Sequence, residues 1–249
     1  MIVGGAAAGV FGSLLGLGGG ILIVPLLTLG FGLDLRAAVG VSLVSVIMTS
    51  SVSAGVYLER HVANLRLGMR LELFTAIGAL VGGSIAFLIE ERWLSVLFAA
   101  LLGYVAMSML RSDGSPEAQP GSDGPSSEAR NFPLGIVGAT GAGVASALLG
   151  IGGGVVKVPL MHLGMGVPLR VAIATSNLMV GITAAASAVI YLIRGEVDPY
   201  IAGPTAIGVF LGASLGSRVA HRIDLRVLRW LFVAVLFYTA VQMLLRAAS

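Results

Sequence analysis

The sequence predicts an all-α polytopic membrane protein made of two inverted-topology repeats. Three observations carry that expectation: the composition, a self-alignment at an offset of 134 residues, and a one-sided distribution of arginine. Of 249 residues, 57% are hydrophobic and 11% charged, against about 25% charged in an ordinary soluble domain. Mean hydropathy is +0.98. The chain has no cysteine, which excludes a disulfide scaffold, a thiolate metal site and a cysteine nucleophile. A disordered chain would be polar. The pI of 9.7 hints at nucleic acid, but the net charge is only +3 and no basic patch carries interleaved aromatics.

The elements follow from the apolar runs. A helix needs roughly 20 apolar residues to cross a bilayer. Such runs lie at 37–58, 71–89, 93–110, 171–193, 199–217 and 227–245. Two more, 2–31 and 134–165, are longer and rich in glycine. The chain opens inside its first apolar run with no basic region ahead of it, so no removable signal peptide is expected. Residues 112–130, SDGSPEAQPGSDGPSSEAR, read as a flexible aqueous linker. The expected organisation is a first membrane repeat at 1–111, a polar linker at 112–133 and a second repeat at 134–249.

The repeats align without a gap. Gly16-Leu17-Gly18-Gly19-Gly20 falls on Gly150-Ile151-Gly152-Gly153-Gly154, and Val24-Pro25-Leu26 on Val158-Pro159-Leu160. Ser42, Tyr57, Gly78, Gly82 and Tyr104 match Ser176, Tyr191, Gly212, Gly216 and Tyr238. Such duplication is common in secondary transporters. If each half crosses four times, giving eight full helices, the 14 arginines divide 7 to 7 between the two sides. If the first segment of each half enters and leaves on one side, they divide 10 to 4. The second reading obeys the positive-inside rule and turns the second half upside down. It predicts six crossings plus two re-entrant hairpins, a cytoplasmic linker and both termini outside.

Local chemistry agrees. Four glycines in five residues at 16–20 cost about 1 kcal/mol each in a helix interior. Pro25 and Pro159 then steer the preceding Val24 and Val158 away from helical angles. The arms, about 2–15 and 21–30, are too short to span alone. Broken backbone at membrane depth survives only where protein or a cavity surrounds it.

The glycine tips are the candidate site. A short helix starts after each tip, offering free N–H groups and a positive dipole end. The expected anion-binding set is Gly16, Gly18, Gly19, Gly20 and Pro25 with Gly150, Gly152, Gly153, Gly154 and Pro159. Lys157, the single lysine, joins them, because a charge inside a membrane segment implies function; the competing reading is a lysine that snorkels or pairs structurally. Ser42, Ser176 and Asn177 complete the set, with helix-to-helix bonding as their alternative. Glu72, one turn into its segment near Arg70, reads as interfacial. Gly78-xxx-Gly82 and Gly212-xxx-Gly216 read as helix contacts. Trp93, Trp230, Tyr57, Tyr191 and Tyr200 read as interfacial anchors.

The paired motifs GLGGGILIVPLL and GIGGGVVKVPLM, each followed by an arginine and a serine-containing helix, resemble the TauE/SafE sulfite exporter family. The resemblance covers essentially the whole chain outside the linker. It implies export of a sulfur-containing anion such as sulfite, sulfoacetate or a related sulfonate across a cell inner membrane. It carries over the two glycine motifs, Gly16–Pro25 and Gly150–Pro159; Lys157 and Asn177 rest on the asymmetry between repeats. The expected mechanism is alternating access about a midplane site, with a passive anion channel or a carrier of another small anion as alternatives. Leaving a negative interior gains a monovalent anion roughly 2.3 kcal/mol per 100 mV, and no P-loop motif is present to use ATP. The expected partners are a small anion and the lipid bilayer, with a homo-oligomer left open. No nucleic acid, metal or cofactor is expected. No enzyme is expected either, because no cysteine, no serine–histidine pair and no membrane-central acid reads from the sequence.

Overall fold

The computed structural model describes residues 1–15, 19–59, 63–111, 132–219 and 225–248. They form α1 (Ile2–Leu15), α2 (Gly20–Pro25), α3 (Leu35–Glu59), α4 (Leu65–Ala86), α5 (Glu91–Arg111), α6 (Phe132–Leu149), α7 (Gly154–Pro159), α8 (Leu169–Ile193), α9 (Pro199–Val219) and α10 (Leu225–Ala248). No β-strand occurs among the described residues. At the offset of 134, α2, α3 and their counterparts α7 and α8 share identical limits. The linker lies outside the described residues, apart from Phe132 and Pro133 at the start of α6.

Three helices among the described residues, Leu35–Glu59, Leu65–Ala86 and Val171–Ile193, are long and apolar enough to cross a membrane. Helices α5, α9 and α10 have 21, 21 and 24 residues. At 1.5 Å per residue that length suits a core of roughly 30 Å. Helix α1, with 14 residues, reaches only about 21 Å.

Helix α4 begins six residues before the apolar run that predicts it. Asn64 accepts the Leu67 N–H at 3.0 Å and so caps the first turn. That turn is amphipathic: Leu67 and Leu71 are buried while Arg66 and Arg70 are exposed. The helix therefore extends into a polar boundary that the apolar run misses. Helix α8 starts at Pro168, whose missing N–H loses nothing at a helix start. It ends at Gly195, φ 77°, where the Gly195 and Glu196 N–H groups fold back to Leu192 and Tyr191 carbonyls at 3.1 and 3.0 Å. A left-handed residue there calls for glycine.

Beyond Pro25 and Pro159 the helical path widens into π turns at Leu26–Gly30 and Leu160–Gly164. Proline offers no N–H to the helical ladder, and relaxed turns follow such a break.

The core is apolar, with residues such as Ile21, Leu27, Leu43, Phe98 and Leu102 packed inside, and apolar side chains cover the outside as well. Ile77 and Leu80 on α4, and Phe210 and Leu211 on α9, are exposed, whereas Ser45, Thr49, Thr75 and Thr183 are buried. Apolar side chains face outward where lipid replaces water, and polar side chains bond inside.

Helix pairing crosses between the halves. Helix α1 packs on α9 and α6 on α4, while α3 packs on both α8 and α9. Glycine brings these backbones together. A Cβ at Gly78 would lie 2.1 Å from the Thr140 carbonyl oxygen, and one at Gly212 2.0 Å from that of Ala6. Gly82 and Gly216 make the same approach to Val144 and Val10. The two small-residue motifs are helix contacts.

Two expectations are corrected. Tyr191 is no surface anchor: it is 0% exposed and donates to the Ala147 carbonyl at 3.0 Å. Its position near the end of α8 suggests an interface, but the α6 terminus covers it. Trp93, Trp230 and Tyr200 are exposed. Glu72 is the second correction; it is not interfacial, and its partner is described below.

Candidate functional site

The two glycine tips meet where α3 passes between them. A Cβ at Gly20 would lie 2.4 Å from the Gly150 carbonyl oxygen. Ser42, on α3, donates to that carbonyl at 2.7 Å and lies 3.3 Å from the Gly20 carbonyl oxygen. Gly19, Gly150, Gly152 and Gly153 all have φ between 69° and 75°, a conformation only glycine adopts freely. A Cβ at Gly152 would also strike Val180 and Val46, at 2.5 and 2.7 Å. Each tip therefore needs glycine for conformation and for space. Gly16 and Gly18 lie outside the described residues.

The helix after each tip opens toward the meeting point. Helical bonding begins with the Leu22 and Ile23 N–H groups on Gly19, and with Val156 and Lys157 on Gly153. The N–H groups of Gly20 and Ile21, and of Gly154 and Val155, precede the first bonded position. Pro25 and Pro159 lie within a helical path that runs on into the π turns, so Val24 and Val158 are helical, which corrects the expectation that proline turns them away from helical angles.

Lys157, one turn beyond the second tip, is 1% exposed. Its ammonium lies 3.2 Å from Glu72 Oε2 and also donates to Thr183 Oγ1. Thr183 Oγ1 in turn lies 2.6 Å from Glu72 Oε1 and 3.1 Å from the Met179 carbonyl oxygen. Three helices, α4, α7 and α8, thus supply one closed polar triad. Glu72 is 4% exposed, so the chain does hold an acid inside its membrane region. The sequence reading missed it because Glu72 follows Arg66 and Arg70 on one helix. Those arginines point outward, while Glu72 points in. The missed signal was the solitary buried lysine, which demands a carboxylate.

The remaining predicted residues divide. Ser176 Oγ is buried and makes no hydrogen bond to the described residues. Asn177 spends its side-chain amide on its own helix, donating to the Ile173 carbonyl at 3.0 Å, and its backbone carbonyl accepts from the Ser50 hydroxyl of α3. The structure thus brings Ser42 to both tips and gives Asn177 a helix-joining contact.

A second cluster lies at one end of the bundle. The Arg36 and Arg194 guanidinium carbons lie 5.6 and 5.1 Å from the Phe87 ring centroid, within cation–π range. Arg36 donates to the Ile89 carbonyl at 2.8 Å, and the Leu35 N–H donates to Glu91.

Comparison with known proteins gives a consistent answer. The family model described as Sulfite exporter TauE/SafE matches residues 1–243. A probable membrane transporter protein of Bacillus subtilis, YunE, is 28% identical, covering 98% of this chain and 96% of its own length. One from Xylella fastidiosa is 31% identical over 84% of this chain and 79% of its own. One from Methanocaldococcus jannaschii is 28% identical over 98% and 94%. No solved structure matches. A helical chain with lipid-facing apolar surfaces, matched along nearly its whole length, belongs to the TauE/SafE sulfite exporter family of membrane transporters.

Proposed function

We propose that the chain is a secondary transporter that exports a sulfur-containing anion, sulfite, sulfoacetate or a related sulfonate, across the cell inner membrane. Access alternates between the two faces around a midplane site made of the glycine tips and Lys157. The carrying observation is that both tips contact Ser42, with the chain's single lysine buried one turn away. Backbone N–H groups and an ammonium suit a small oxyanion. Lys157 is sealed in this conformation, as an occluded intermediate requires.

The same reading takes the repeats as inverted and the first segment of each as a re-entrant hairpin. The Arg36–Phe87–Arg194 cluster supports it. With eight full crossings, the loops before α3 and after α4 would lie on one side and the loop after α8 on the other. With two hairpins, all three lie on one side. Arg194 and Arg36 share the Phe87 ring, which favours the hairpins. The exchanged pairing of α1 with α9 and of α6 with α4 fits the same symmetry.

The test uses purified protein in liposomes loaded with sulfite, sulfoacetate or thiosulfate. Saturable flux with counterflow is the expected result. Non-saturable conductance would identify a channel instead, and no flux of any of these anions would overturn the proposal.

A further inference from the structure

We infer that Glu72 is a proton-carrying residue and that the protein moves one proton together with each anion. The inference rests on the transport reading above and adds the coupling ion. It begins with an internal control. At the offset of 134 the positions of Lys157 and Glu72 are held by Ile23 and Ala206, and that of Thr183 by Thr49. The short helix and π turn after the first tip form with Ile23 in the place of the lysine and Ala206 in the place of the acid. The ion pair is therefore not needed to form this fold. Buried ion pairs are in general no more stabilising than apolar replacements, and an intramembrane acid marks function by default.

The triad has the parts of an exchange device. Lys157 has three N–H donors, and two meet Glu72 and Thr183. Among the described residues Lys157 is the one charged group facing Glu72. Helix α6, packed against α4, carries no ionisable residue. The ionisable residues of α8 are Arg170 and Tyr191, toward its two ends. On α4 itself, Arg66 and Arg70 are exposed.

Charge balance then sets the step. At rest, ammonium and carboxylate cancel. An anion that takes the ammonium would strand a buried carboxylate, at a large penalty. If Glu72 takes a proton from the open side, its acid form stays bonded to Thr183 and Lys157 is free for the anion. For a monovalent anion the site is neutral before and after loading. Release on the far side returns anion and proton together and restores the pair. A monovalent anion then moves without net charge, draws nothing from the membrane voltage and leaves the cell only down its own gradient and against any inward proton gradient, whereas a divalent one carries a single negative charge that the voltage still drives outward.

The experiment uses the full-length protein in liposomes at pH 7.5, with a pH dye inside. Sulfoacetate, thiosulfate and sulfate are the probes, because their bulk acid–base equilibria do not mask proton movement at that pH. Wild type is expected to move one proton with each anion. In Glu72→Gln the protons carried per anion fall to the level of empty liposomes, and Glu72→Asp restores them. Wild type moving an anion without a proton would overturn the inference and leave the transport reading standing, whatever the variants do. Proton movement that persists in Glu72→Gln would overturn it equally. Failure of wild type to move any probe would sink the transport reading, and the coupling with it.

Discussion

Replacing Lys157 with methionine would test how tightly the buried triad is bound into the fold. The Lys157 and Glu72 side chains are 1% and 6% exposed, so a lone carboxylate left behind finds almost no water. Breaking a buried pair from one side costs about 3–5 kcal/mol. For a chain of this size each kcal/mol lowers Tm by about 2–4 °C, so Lys157→Met should lose roughly 6–20 °C. Glu72→Leu, which strands the ammonium, should lose a similar amount. The double variant Lys157→Met with Glu72→Leu should melt above both singles, because two apolar residues of similar volume leave no charge unpaired. Ile23 and Ala206 already occupy the positions equivalent to Lys157 and Glu72 at the offset of 134. The assay is thermal unfolding in detergent, followed by light scattering or by Trp93 and Trp230 fluorescence; thiol-reactive dyes are silent on a chain without cysteine. A Lys157→Met melt within about 2 °C of wild type, or a double variant below either single, would refute the reasoning.

Other perturbations read different parts of the structure. Gly152→Ala combines φ 72° with a Cβ 2.5 Å from Val180; overpacking of this kind costs about 1–3 kcal/mol, and both the Tm and anion flux should fall. Ser42→Ala removes the 2.7 Å bond to the Gly150 carbonyl and should cost about 1 kcal/mol, read as a smaller Tm loss than Gly152→Ala. Gly78→Ala and Gly212→Ala meet carbonyl oxygens at 2.1 and 2.0 Å; if the halves pack symmetrically, their Tm losses should agree to within about 4 °C, the shift that about 1 kcal/mol produces. Single cysteines at Ser122 and Asp198 should label from opposite sides of the membrane if the linker is cytoplasmic; labelling of both from one side would remove the hairpin topology.

Much of the helical layout was legible because lipid imposes a simple rule. Every backbone group must bond within its own segment, so apolar length and glycine breaks reveal the elements. The arms read at 2–15 and 21–30 correspond to α1 and to the helical run Gly20–Gly30. Ser42 was legible as a polar residue repeated at the same point in both halves. Glu72 was not, because its partner lies 85 residues away and helix α4 turns Arg66 and Arg70 outward from the same stretch. Tyr191 failed for the same reason: position along a helix does not reveal which neighbour covers its end. Asn177 stood out as an asymmetry between repeats, but its amide bonds along its own helix.

The glycine contacts also decide what can move as a unit. Helices α1 and α9 touch backbone to backbone at Gly9, Gly212 and Gly216, and α4 and α6 do so at Gly78, Gly82 and Gly143. Sliding either pair would drive carbonyl oxygens into neighbouring backbone, whereas looser side-chain contacts such as Gly68 against Thr175 and Met179 allow adjustment. The rigid pieces of the molecule are therefore composites, each made from the first helix of one repeat and the second crossing helix of the other. The linker joins the repeats in sequence, but the mechanical seam runs elsewhere, through the site where the tips meet.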